Sequence, residues 1–263
     1  LSARIVPYRG AWIEFEYDGN DTLWVTVDRR VKMLATTLLK ALGYVDHEEI
    51  LRMFYRIDRV VLKRTKAYIY QKKKEKRGSK EIEVEEESVI EIRDLVNNNY
   101  WFACDVIDPE TGEVIADAST QITTAVLNTI LRTPIRTFYV LNRQDVLSDV
   151  GIARTLSMDH AQTQEEALHE IYIKMRPGEP ANDAQCRKHF EGLFFDPARY
   201  DLASVGRYKI NRRLGVDVPQ NKRTLTKEDI VETLKDLVKL KRGEGVLDDI
   251  DHLGNRRVRT VAE

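Results

Sequence analysis

Residues 13–27 constrain the fold more than any other stretch of the 263-residue chain. Ile13, Phe15 and Tyr17 alternate with Glu14 and Glu16, and Leu23, Val25 and Val27 alternate with Trp24 and Thr26. Between the two runs lies the polar sequence Asp18-Gly-Asn-Asp21. Period two on both sides of a short turn predicts an antiparallel hairpin. A lone hairpin is barely stable in water, so the fold depends on what the rest of the chain packs against it.

The flanking sequence is mostly helical in period. From about Met33 to Leu42 apolar residues recur at helical spacing, and Gly43 stands where a left-handed C-terminal residue would sit. Asp46 is placed to cap a second helix, with Glu49 closing a capping box and Ile50, Leu51 and Phe54 as its buried stripe. Thr163 and Glu166 form a similar start, Leu168, Ile171, Tyr172 and Met175 share one face, and Arg176-Pro-Gly-Glu-Pro180 stops the helix. A helix over about 183–194 is expected to bury Phe190, Leu193 and Phe194. Another, near Leu202–Leu214, ends at Gly215, and Thr226 to Asp229 opens the last, with Ile230, Leu234, Leu237 and Val238 inward. These helices read as one bundle. The fold class is therefore α+β: a helical bundle with a β-hairpin or small sheet.

Composition changes after Leu62. Lys72 to Lys80 is basic, Glu81 to Glu87 is mostly acidic, and the turn Pro109-Glu-Thr-Gly112 separates Val106-Ile107 from Val114-Ile115. We read 63–151 as an inserted, mainly β module between 1–62 and a helical second part, 152–247, with 248–263 as a connection. Blocks of like charge usually face water, so the charged runs read as a solvated hairpin or loop.

Other classes are excluded by what the chain lacks. Cys104 and Cys186 have no metal-ligand or disulfide-framework spacing and read as small hydrophobes. His47, His160, His169 and His189 are scattered and read as surface or helix-face residues. No phosphate-cradling glycine motif occurs. No apolar run approaches the ~18 residues that span a bilayer, so no membrane role is expected and the location is expected to be cytoplasmic. Lys plus Arg number 42 against 43 Asp plus Glu, so any nucleic-acid role has to be local. The start at Leu1 and the end at Glu263 suggest a piece of something longer.

Charge concentrates at Asp248-Asp-Ile-Asp-His-Leu-Gly-Asn-Arg-Arg257. Asp248, Asp249 and Asp251 are hard oxygen ligands of the kind that hold Mg2+. Consecutive aspartates on an extended backbone nevertheless point to opposite faces, and Arg256, Arg257 and Arg259 can neutralise them. A metal site, an ion-pair turn and a nucleic-acid contact all remain open on these residues alone.

This stretch, together with Met175-Arg-Pro-Gly-Glu-Pro180, Phe194 to Leu202, Val205 to Asn211 and Ala3 to Trp12, resembles the β subunit of bacterial DNA-directed RNA polymerase. So do Val27-Asp-Arg-Arg30 and Leu39 to Gly43, whereas Met33-Leu-Ala35 lacks a proline common at that point. The resemblance runs from end to end and implies the lobe, or second β domain, with 63–151 where bacterial β subunits carry lineage-specific insertions. It implies a non-catalytic wall of the DNA cleft, with catalytic magnesium on β′ and no metal or cofactor here. It implies DNA, β′, α, ω and sigma as partners; an alternative reading is a protein-docking module whose insertion, 63–151, recruits a transcription regulator. It also implies a pocket for an unstacked non-template guanine at Arg4, Asp251 and Arg256, in which a carboxylate reads the base edge and an arginine donates to O6 or stacks. That pocket requires the two ends of the chain to meet.

Overall fold

The computed structural model describes residues 1–77, 80–249 and 252. It begins with a four-stranded antiparallel sheet in simple order: β1 (Ser2–Ile5), β2 (Ile13–Tyr17), β3 (Leu23–Val27) and β4 (Val31–Leu34). The expected hairpin is β2–β3, in register Phe15 to Val25, with its odd-numbered residues buried. The expectation of a helix from Met33 is corrected: Met33 continues the alternation opposite Val25, and helix α1 (Ala35–Ala41) starts only after that strand ends. A tight turn in which Asp28 and Arg29 both have positive φ (51° and 58°) folds β4 back onto β3.

Helix α2 (His47–Phe54) buries Ile50, Leu51 and Phe54, and the Asp46 side chain accepts from the Glu48 backbone N–H rather than forming a box with Glu49. The chain then builds a second sheet in the order β10-β5-β6-β7. Its first strands are β5 (Ile57–Lys63), β6 (Lys66–Arg77) and β7 (Lys80–Glu91). The charged runs thus lie on one long antiparallel hairpin, β6–β7, in which Lys72 stands opposite Glu85. Beyond it come α3 (Asp94–Asn97), the small ladder β8 (Val106–Ile107) with β9 (Val114–Ala116), α4 (Thr124–Arg132), the closing strand β10 (Thr137–Leu141) and α5 (Arg143–Ser148). Phe102, Ile130, Phe138 and Val140 centre a hydrophobic cluster that belongs to this sheet.

The remaining helices are α6 (Gly151–Ser157), α7 (Gln164–Met175), α8 (Asp183–Phe194), α9 (Ala203–Leu214) and α10 (Lys227–Lys241). Capping boxes at Thr163/Glu166 and Thr226/Asp229 start α7 and α10 as the sequence predicts. In α8 Phe190 and Phe194 are buried, but Leu193 is only half-buried and Cys186 takes the inward position. The helices do not form a separate bundle. Residues of α1, α2, α6, α7, α8 and α10 share one core with the inner face of the first sheet, so the architecture is α+β. Among the described residues no helix is long and apolar enough to cross a membrane.

Buried polar groups tie this core together. The Tyr17 hydroxyl donates to Asp149 Oδ2 at 2.7 Å, and Gly151 is packed so tightly that a Cβ there would lie 2.3 Å from Tyr17 Cε1. Lys40, fully buried, donates to the Ala161 carbonyl and lies 3.5 Å from Asp159, which also accepts from Thr36 at 2.6 Å. Burial holds the Lys40 ammonium below the ordinary lysine value.

Candidate nucleic-acid interface

The segment Arg9–Trp12 is held by two turns. Arg9 and Asp201 exchange backbone hydrogen bonds of 3.0 and 2.7 Å. Between them Gly10, at φ +126°, lies against Tyr200, where a Cβ would come within 2.6 Å of Cδ2. Only glycine takes that backbone and that contact together. On the other side Trp12 and Asp28 exchange two hydrogen bonds of 2.9 Å, one to the aspartate side chain. The Arg29 guanidinium then sits 3.8 Å from the centroid of the Trp12 ring.

The consequence is a gathering of cations. Arg9, Arg29, Arg30, Arg199 and Arg223 are all exposed around this segment. Arg223 pairs with Asp201, Arg199 lies 3.7 Å from Asp196, and Arg9 donates to the Pro197 carbonyl at 3.2 Å. The sequence motifs Ala3 to Trp12 and Phe194 to Leu202, far apart in the chain, therefore meet here.

Helix α9 adds a second basic surface for an unusual reason: the residue it buries is Arg207. Arg207 reaches Asp229 of α10 through two hydrogen bonds of 2.8 and 2.9 Å, and donates to the carbonyls of Lys222 and Thr224. Both partners of the pair are fully buried. With an arginine as its anchor, α9 leaves Val205, Tyr208, Lys209 and Arg212 exposed on one stripe. An exposed tyrosine between cations suits a nucleic-acid strand, offering a ring for stacking and charges for phosphate.

Of the sequence-stretch candidates, Arg4 lies on β1 directly across from Glu14 and forms an ion pair with it. Asp251 and Arg256 lie outside the described residues. Asp248 Oδ1 accepts from Arg213 Nη1 at 2.8 Å, and Arg213 also reaches Asp236 of α10 and the Val246 carbonyl, at 3.0 and 3.1 Å. That carboxylate is thus engaged by an arginine of α9. Strand β1 packs against α10, so the N-terminal strand and the helix leading into the Asp248 stretch are neighbours.

Burial shifts the two thiols and two of the imidazoles toward their neutral forms. Burial and the adjacent Glu48 push the Cys104 thiol up to about 12, and burial pushes up Cys186 as well. Burial also lowers His47 and His189. The surface cations of α9 and of the turns were not singled out by sequence reasoning. The spacing of Val205, Tyr208, Lys209 and Arg212 was a usable signal, but it reads equally well as a buried stripe until Arg207 is known to be the inward residue.

Comparison with known proteins gives one family and a consistent set of relatives. The family described as RNA polymerase Rpb2, domain 2, matches residues 2–99 and 139–259. The DNA-directed RNA polymerase subunit beta of Syntrophotalea carbinolica is 37% identical over 291 residues, and that of Sorangium cellulosum is 38% identical over 297. Each alignment covers 100% of this chain and 21% of the relative, so the chain spans about a fifth of the length of the curated relatives it matches.

Proposed function

The chain belongs to the RNA polymerase Rpb2 domain 2 family, and from that premise we propose that it forms one wall of the DNA cleft of a DNA-directed RNA polymerase. In this reading it contacts downstream and non-template DNA and makes no bonds itself. The observation that carries it is the clustering of exposed Arg9, Arg29, Arg30, Arg199 and Arg223, with Tyr208, Lys209 and Arg212 on α9, in a chain whose net charge is −1. A neutral protein that gathers its cations locally grips phosphate at that place and not elsewhere.

Catalysis would reside in the assembled enzyme, with magnesium on the β′ subunit and α, ω and sigma as further partners, in the cytoplasm. Engagement of Asp248 by Arg213 favours a structural role for the start of the acidic stretch over ion binding. The guanine pocket of Arg4, Asp251 and Arg256 remains part of the proposal, on condition that the pairing of Arg4 with Glu14 opens for a base. A second reading, regulator docking on 63–151, is favoured by the long antiparallel β6–β7 pairing and by a hydrophobic cluster distinct from the main core.

A photo-crosslinking residue at position 30 of the assembled polymerase tests the main reading. It is expected to label DNA in a promoter complex, while the same residue at Leu131 of α4 does not. Labelling of protein alone from position 30 would refute the reading.

A further inference from the structure

A cavity of about 450 Å3 opens between the end of α1, the first turns of α7, the C-terminal half of α8 and the start of α10. Its floor is apolar: Leu42, Leu168 and Phe190 are buried beneath it, and Phe195 is half-exposed at its side. Gly192 helps to keep it open, because a Cβ there would lie 3.0 Å from the Arg199 guanidinium.

The rim is unevenly charged. Arg187 pairs with Glu165 at 3.3 Å and Arg199 with Asp196 at 3.7 Å, all four being exposed or half-exposed. Lys188 and Lys227 also line the cavity, and among the described residues neither has an ion-pair partner. Two unpaired ammonium groups therefore stand over an apolar floor large enough for a bulky side chain. Such a site is complementary to a carboxylate-bearing chain with an apolar anchor.

We propose that this cavity docks an acidic peptide segment of a partner protein. One large apolar side chain seats on Leu42, Leu168, Phe190 and Phe195, and flanking carboxylates meet Lys188 and Lys227. A nucleic-acid strand is the poorer occupant: Glu191 and Asp196 also line the cavity and repel phosphates, whereas peptide N–H groups can face those acids. The cavity shares Arg199 with the DNA-facing cluster, but the proposal does not depend on that reading.

The test is to select a displayed library of random peptides against the 263-residue chain and to measure binding of the enriched peptides to the chain and to a Lys188→Glu, Lys227→Glu double variant. Both lysines are exposed, so the variant keeps the fold, which its circular dichroism would verify. Enrichment of peptides with several Asp or Glu around one large apolar residue, and at least roughly tenfold weaker binding to the double variant, are expected. Enrichment without acidic bias, equal binding to both proteins, or displacement of a bound enriched peptide by a single-stranded oligonucleotide but not by other acidic peptides would overturn the proposal.

Discussion

Arg207 shows how one residue can set the character of a helix. Its guanidinium replaces the apolar stripe that α9 would otherwise need, and its removal would leave Asp229 charged and unpaired in the core. Arg207→Ala is therefore expected to cost about 3–5 kcal/mol, read as a fall in the urea midpoint, whereas a surface change such as Lys209→Ala should cost little. Gly151→Ala introduces a Cβ within 2.3 Å of Tyr17 and 3.0 Å of Asp149, and overpacking of this kind is expected to cost about 1–3 kcal/mol by thermal unfolding. Burial also holds His47 and His189 below the ordinary 6.5. In the folded chain these rings stay neutral where the unfolded chain takes up protons, so their contribution is present above the unfolded value and is lost as pH falls through the folded values. The urea midpoint should therefore be lower at roughly pH 5.5 than at about pH 7.5, and His189→Gln should reduce that difference.

At the scale of elements, what the sequence made legible was local. The β2–β3 hairpin, the boundaries of α7 and α8, the start of α10, and both threonine caps follow from alternation, period and side-chain chemistry within a few residues. Thr226→Ala removes a cap while keeping Asp229, so a loss of about 0.5–2 kcal/mol is expected by denaturant titration. What escaped reading depends on pairing at a distance. Met33 is a strand residue because Val25 lies opposite, and the helices α4 and α5 lie within the stretch read as a mainly β module. The basic turn cluster was hidden for the same reason. Arg9 and Arg223 become neighbours only through Asp201, and no window of sequence contains all three.

At the scale of the whole molecule, near-neutral charge and local basic surfaces set the expected behaviour. Few counterions are released when such a surface meets DNA, so the isolated chain should bind weakly and lose that binding as salt rises, with a shallow slope. In the proposed role, the cleft of a larger assembly supplies the remaining contacts. The most direct measurement is fluorescence anisotropy of a labelled forked DNA titrated with the 263-residue chain and with an Arg29→Glu, Arg30→Glu variant across a salt series. Weak, salt-sensitive binding that the double variant abolishes is the predicted result. Tight binding that persists at physiological salt, or binding that the charge reversals leave unchanged, would contradict the account.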